Sequence, residues 1–289
     1  MTVPQQTIVR PRGATARRAP VQRSWGRRLL AANAVAAYIF LYLPILILIA
    51  FSFNRSRFGA QWTGWTTDWY RQMLDDGRIV DAAQTSVLIA VVSTAIATVL
   101  GTLLALALER YCFRGRSALD SALYLPIVIP DIVMGVALLS FFALAFRVLN
   151  DLFALNVRAG LATVIIAHVA FNISFVTVVV RASLRNFDRR LEEAAQDLGA
   201  TPWRTFRYVT LPLIVPGIIG GALIAFTLSL DDFVVTFFTA GPGVNTLPLE
   251  VYSRVRKSIT PEINAISTMM LLTSIALVAV SLVLQRRRA

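Results

Sequence analysis

The chain has 289 residues, of which 56% are hydrophobic and only 15% are charged, and this composition excludes a soluble fold of this size. Its formal net charge of +12 would suit a nucleic-acid partner only if the basic residues formed one patch, so their positions must decide. The single cysteine, Cys112, and the single histidine, His168, exclude an intrachain disulfide and a Cys/His zinc site.

Residues 1–28 form a basic tail without acidic residues, which we predict to be disordered in water. Beyond the tail, six stretches with few or no charges are long enough to cross about 30 Å of hydrocarbon as helices. These stretches are Leu29–Asn54, Ala82–Leu108, Ser121–Phe146, Ala159–Val180, Leu213–Phe238 and Ile263–Gln285. The sequence therefore predicts an all-α membrane protein with six transmembrane helices in residues 29–285, followed by a short end at 286–289.

The basic residues fall unequally on the two sides of these helices. The tail, the loops after the second and fourth helices and the chain end together carry 19 of the 28. Positive charge accumulates on the cytoplasmic side of membrane proteins, so we predict that both termini are cytoplasmic. The net charge thus orients the helices, and we expect no nucleic-acid partner.

The loop at residues 186–212 contains the signals of two short helices. Gly199 is typical of a left-handed residue that ends the first helix, and Thr201 followed by Pro202 is a typical start for the second. An apolar stripe of leucine and alanine lies between these signals, and small side chains suit a protein groove better than a lipid surface.

The loop also contains Glu193-Ala194-Ala195, then Gly199, then Val209-Thr210-Leu211-Pro212. This pattern resembles the EAA loop of ABC importer permeases, with valine in place of the usual isoleucine. The resemblance implies a type I ABC importer permease fold in a bacterial inner membrane. It also implies that Glu193–Gly199 forms a coupling helix on an ABC ATPase dimer, with Leu211 and Pro212 completing the loop.

The chain itself has no Walker A loop, because Lys257, its only lysine, does not follow a glycine. The resemblance accordingly implies that the partner ATPase binds ATP and Mg, and that this chain needs no cofactor. We expect His168, inside an apolar run, to be hydrogen-bonded between helices, and we find no catalytic or metal-binding constellation. Neither an enzyme nor a carrier that works without partners is favoured.

Three acidic residues lie within the predicted helices, where charge is costly and usually functional. Asp131 follows Pro130 near the middle of the third helix, and Asp231 and Asp232 lie toward the outer half of the fifth. Acids along a pathway suit a cationic solute, and Phe233, Phe237, Tyr124 and Phe141 would add cation–π contacts if they face the same cavity. We expect one of Asp231 and Asp232 to face the pathway while the other pairs or caps within the bundle.

Distinctive segments elsewhere in the chain include Pro130–Met134, Ser229–Val234 and Pro261–Ala265. Through these segments the wider chain resembles the spermidine/putrescine branch of these permeases, in particular the second permease of such operons. The resemblance implies transport of polyamines, a heterodimer with a second homologous permease and delivery by a soluble binding protein. An ABC permease for another solute, such as ferric iron or an organic amine, remains the alternative.

The loops on the outer side must receive that binding protein. Arg254, Arg256 and Lys257 lie on a short helix predicted over Leu247–Ser258, and we expect them to contact acidic edges of the partner. In the first outer loop, Trp65 and Trp69 are one helical turn apart, which favours a short interfacial helix with both indoles in an aromatic belt.

Overall fold

The computed structural model describes residues 25–56, 61–257 and 260–286, with side chains described as far as residue 279. Most of the predicted tail and residues 287–289 lie outside the described residues. The chain divides into two compact units, 1–47 and 48–289. The described part of the first unit is helical, and Tyr38 stacks on Tyr42 with ring centroids 6.1 Å apart.

The described residues form twelve α-helices and one π-helical turn, at Phe206–Thr210. The α-helices are α1 (Trp25–Phe51), α2 (Asp68–Asp75), α3 (Gly77–Arg110), α4 (Arg116–Val128), α5 (Asp131–Phe153), α6 (Leu161–Arg185), α7 (Arg190–Asp197), α8 (Pro202–Thr205), α9 (Leu211–Asp231), α10 (Val234–Thr239), α11 (Leu247–Val255) and α12 (Pro261–Arg286).

Six of these segments are long and apolar enough to cross a membrane, which confirms the predicted number. They are α1, α3, α5, α6, α12 and the continuous stretch from α8 to α9. Helix α1 begins at Trp25, so the last residues of the predicted tail are helical. Flanking arginines are compatible with this start, since long basic side chains at helix ends reach toward the polar interface.

Two predicted helices are each divided in the structure. The predicted helix Ser121–Phe146 is split into α4 and α5, and Leu213–Phe238 is split into α9 and α10. In the first case Pro130 has no amide hydrogen to donate, and Ile129 before it is extended with ψ 136°. Asp131 is therefore the first residue of a helix, and its predicted position in mid-helix is wrong.

The core of the second unit is built by α3, α6 and α9. Buried Ala105, Val176, Val180 and Ile214 form one cluster between these helices. Small residues permit this close approach: a Cβ placed on Gly221 would lie 3.2 Å from the Cα of Val176. This closely packed three-helix core supports the two divided helices, whose breaks line the site described next.

The tryptophans of the first outer loop do not share a helix. Trp65 lies in the extended segment before α2, whereas Trp69 on α2 is buried and its indole N–H donates to the Asn54 carbonyl at 2.7 Å. The predicted aromatic belt of two indoles is therefore wrong. A long-range hydrogen bond, invisible in the local spacing, turns Trp69 inward.

Candidate functional site

A cavity of about 310 Å³ lies where the two divided helices meet α6. All three predicted acids and Phe233 line it. The complete lining is Pro126, Asp131, Met134, Phe171, Phe175, Thr227, Leu228, Asp231, Asp232, Phe233, Val234 and Val235. The carboxylates of Asp131, Asp231 and Asp232 therefore lie around one cavity, although Asp131 is about 100 positions away from the other two in the sequence.

Asp232 is engaged by the start of α10. Its carboxylate accepts hydrogen bonds from the amide of Val235 at 3.2 Å and from the amide and hydroxyl of Thr236, both at 2.7 Å. Carboxylates at helix N-termini are stabilised by unpaired amides and by the helix dipole. Asp232 is therefore the acid that caps within the bundle.

His168 extends this polar arrangement into the core. Its Nδ1 lies 2.6 Å from the Ser229 hydroxyl, and its Nε2 lies 2.9 Å from the Thr236 hydroxyl and 3.3 Å from Asp232 Oδ2. Ser229 in turn lies 3.0 Å from the hydroxyl of Ser93 on α3. The expected interhelical hydrogen bonding of His168 is confirmed, but its contact with Asp232 was not foreseen. A lone ionisable residue in an apolar run was the signal for it.

Asp131 and Asp231 keep more of their accepting capacity. Asp231 accepts one contact, from the Ser274 hydroxyl of α12 at 3.0 and 3.2 Å to its two oxygens. Among the described residues, no hydrogen bond or ion pair reaches the carboxylate of Asp131, which is exposed at the start of α5. These two acids are therefore the ones available to a cation in the cavity.

Three aromatic rings are among the described residues that line the cavity, those of Phe171, Phe175 and Phe233. Behind the lining, Phe233 contacts Tyr252 on α11 with ring centroids 4.6 Å apart, and it contacts Phe237 at 5.6 Å. Phe237, Tyr124 and Phe141, which sequence reasoning added to this set, are not among the described residues that line the cavity. Ring faces next to carboxylates attract organic cations.

The coupling loop lies at the opposite end of the core. Helix α7 covers Arg190–Asp197, and Gly199 after it has φ +86°, as predicted for a left-handed helix end. The Thr201 hydroxyl accepts from the amide of Arg204, which confirms the predicted cap of α8. Leu211 and Pro212 begin α9 directly after the π-helical turn.

Several side chains of this loop are exposed on the surface of the chain. Glu193 and Ala194 are exposed, Ala195 is half-buried and Leu198 is 90% exposed. Next to them is a surface depression of about 380 Å³, lined by Ala195, Leu198, Gly199, Ala200, Arg204, Thr205, Tyr208 and Val209. Exposed apolar side chains next to such a depression are compatible with a docking surface, as the EAA resemblance implies.

A protein family described as the inner membrane component of binding-protein-dependent transport systems matches residues 97–287. The chain belongs to this family. It is 41% identical to the spermidine/putrescine transport system permease protein PotC of Escherichia coli strain K12 over 261 residues, covering 90% of this chain and 95% of PotC. It is 42% identical to the putrescine transport system permease protein PotI of the same strain over 253 residues, covering 87% and 88%.

Solved structures show the same fold at low sequence identity. A bacterial ABC transporter that imports alginate contains a chain with TM-score 0.74 and 19% identity, covering 92% of this chain and 97% of that one. The MetNI methionine ABC transporter gives TM-score 0.57 and 18% identity, covering 73% and 95%. The permease therefore has the ABC importer fold that was predicted, in an inner membrane.

Arg254, near the end of α11, already forms ion pairs within the chain. Its guanidinium donates to Asp76 at 2.6 Å, Glu250 at 2.7 Å and Glu262 at 2.8 Å, and its side chain is 16% exposed. The pKa of Asp76 is lowered chiefly by the hydrogen bond from Arg254. Burial raises the pKa of Glu250, but hydrogen bonds from Arg254 and Asn245 outweigh this effect and lower it.

These contacts give Arg254 an internal role, because three carboxylates already share its charge. Its assignment as a docking residue stays a prediction, which these internal contacts disfavour. Arg256 and Lys257 are exposed and stay predictions for binding-protein contact, although the guanidinium of Arg256 lies 5.8 Å from the ring centroid of Tyr252.

Proposed function

We propose that this permease translocates polyamines, delivered by a soluble binding protein and driven by a separate ATPase. The names of PotC and PotI, which the chain matches over most of its length, support this cargo. The alternative is an ABC permease for another solute, such as ferric iron or an organic amine.

The observation that carries the proposal is the cavity formed at the two helix breaks. Asp131 and Asp231 provide carboxylates with spare acceptor capacity, and Phe233 provides an aromatic face beside them. Ammonium groups joined by methylene segments use both features, since the charge pairs with carboxylates while the methylenes lie against rings. The aromatic rings of the lining favour an organic amine over ferric iron.

The same proposal includes the other subunits of the transporter. An ABC ATPase dimer docks on Glu193, Ala194, Ala195 and Gly199, and it binds the ATP and Mg that this chain does not. A second homologous permease completes the pathway as a heterodimer. Both termini of this chain are cytoplasmic in this proposal, as the distribution of basic residues predicts.

The test is uptake of labelled spermidine and putrescine by the complete transporter reconstituted in vesicles. Asp131→Asn and Asp231→Asn should each lower uptake about tenfold, the consequence of losing one charge contact of roughly 1.4 kcal/mol. Asp151→Asn is the matched control, because Asp151 lies on α5 as Asp131 does but its side chain is 72% exposed outside the cavity. Wild-type uptake by both cavity variants would remove the cation argument, and failure of the wild-type transporter to import either amine would refute the function.

A further inference from the structure

One carboxylate, that of Glu192, joins the coupling loop to two membrane-spanning helices. Both nitrogens at the end of the Arg110 guanidinium donate to it, one of them at 2.5 Å, and Arg110 is the last residue of α3. The hydroxyl of Thr210, in the π-helical turn before α9, donates to the same carboxylate. Glu192 therefore connects α7 with the ends of α3 and α9.

Glu192 and its neighbour Glu193 lie on two different faces of α7. Adjacent side chains on a helix differ by about 100° around its axis. Glu193 is exposed on the surface that carries the EAA residues, whereas the Glu192 side chain is only 12% exposed. Burial raises the pKa of Glu192, but hydrogen bonds from Arg110 and Thr210 outweigh burial and lower it, so the ion pair persists at neutral pH.

The aromatic ring of Phe187 strengthens the same junction from the other side. The Arg110 guanidinium lies 5.8 Å from its centroid, so two residues of the loop, Phe187 and Glu192, hold one arginine of α3. A bidentate arginine–carboxylate pair fixes both distance and orientation, which a single flexible contact does not.

A π-helical turn lies directly beside this junction. In the turn the amide of Leu211 bonds to the carbonyl of Phe206, five residues earlier, instead of four. Such turns occur frequently at functional sites, and they interrupt the regular ladder that makes a helix rigid. Glu192 holds Thr210, the last residue of this turn.

We propose that Glu192 is the positioning residue that transmits displacement of α7 to α3 and α9. When a partner moves the exposed face of α7, the paired Arg110 and bonded Thr210 move with it. The ends of two core helices then shift together instead of the loop sliding over them. This inference rests on the proposed function, because it assumes that α7 docks on an ATPase.

The fold does not depend on this junction alone. Glu109 accepts from Arg181 at 2.8 Å and from Arg185 at 3.0 Å, and its carbonyl accepts from Arg189 at 3.0 Å. These contacts join α3 to α6 and to the start of the loop independently of Glu192. Glu192 variants are accordingly expected to fold and to keep the docking face of α7.

The test compares import per ATP hydrolysed in the complete reconstituted transporter. In Glu192→Gln and Glu192→Ala, import per ATP should fall about tenfold, a size typical of mutations on a coupling path, while ATPase co-purification and melting temperature stay near wild type. Asp151→Asn is the matched control, since it removes one negative charge at a position that is 72% exposed and lies outside the loop that docks the ATPase. The double variant Arg110→Glu/Glu192→Arg should recover part of the loss.

Wild-type import per ATP in both Glu192 variants would overturn the inference. Loss of ATPase co-purification would also overturn it, because Glu192 would then serve docking and not transmission. A charge-swapped variant that performs no better than either single change, with the complex intact, would contradict a direct role for the ion pair. A wild-type transporter that does not import polyamines refutes the proposed function before any variant is compared, so the two failures are distinguishable.

Discussion

Replacing Arg254 with glutamine should destabilise the permease in a pH-dependent way. The change leaves Asp76, Glu250 and Glu262 facing one another without their shared cation. Exposed ion pairs contribute about 1 kcal/mol or less and fully buried ones cost about 3–5 kcal/mol to break, so this partly buried cluster should lose about 2–4 kcal/mol. For a unit of this size that corresponds to a fall in melting temperature of about 5–10 °C.

The pH dependence follows from the lowered pKa values of Asp76 and Glu250. Since these values lie below those of the unfolded chain, the two groups contribute stability that is present above about pH 4 and is lost as pH falls through the folded values. In Arg254→Gln the three carboxylates repel one another without a shared cation, and their protonation at acidic pH relieves this repulsion. The deficit relative to wild type should therefore be largest near pH 7.5 and shrink toward about pH 3.5, below the ordinary pKa values of Asp and Glu.

The assay is thermal unfolding of the purified full chain, followed by tryptophan fluorescence at both pH values. Arg147→Gln is the control, because Arg147 pairs with Asp151 at 3.9 Å with side chains 81% and 72% exposed. Its melting temperature should change by about 1 °C or less. An equal deficit at both pH values, or a loss no larger than that of the control, would refute the electrostatic reasoning.

Two further substitutions test local features. Gly199→Ala forces a side chain into the left-handed region at φ +86° without a clash, so it should lower the free energy of unfolding by about 1–2 kcal/mol. It should also weaken ATPase co-purification. Gly77→Ala, where a Cβ also meets no neighbouring atom, should do neither. Co-purification equal in the two variants would contradict the role of the turn. His168→Leu removes the partner of Ser229 and Thr236 and should cost about 1–3 kcal/mol in thermal unfolding, with His168→Gln closer to wild type. Unchanged stability in His168→Leu would show that these hydrogen bonds contribute little.

The features that sequence predicted well are those with local causes. Six apolar stretches specify six spanning segments because backbone groups in hydrocarbon must be paired within a helix. The left-handed Gly199 and the Thr201 cap depend only on residues within a few positions of each. The coupling loop could therefore be drawn closely before any tertiary contact was known.

The features that sequence missed depend on contacts between distant residues. Arg254 and Asp76 are 178 positions apart, so no local pattern shows that this arginine is internal. Glu192 and Arg110 are 82 positions apart, and Glu192 had no special standing beside the EAA motif that follows it. The interruptions at Pro130 and Asp232 were obscured because the apolar composition continues across them.

The helix breaks explain how acids are retained inside an apolar bundle. A carboxylate in the middle of a spanning helix would face lipid or packed side chains, where the cost of a charge is several kcal/mol. Asp131 instead begins α5 and Asp232 precedes α10, so both lie where unpaired amides and the positive ends of helices favour negative charge. Among the described residues, Asp231 at the end of α9 lacks this position and accepts only from the Ser274 hydroxyl. If the proposed function is right, a visiting cation gains most at Asp231, because no helix start offsets the charge of that carboxylate.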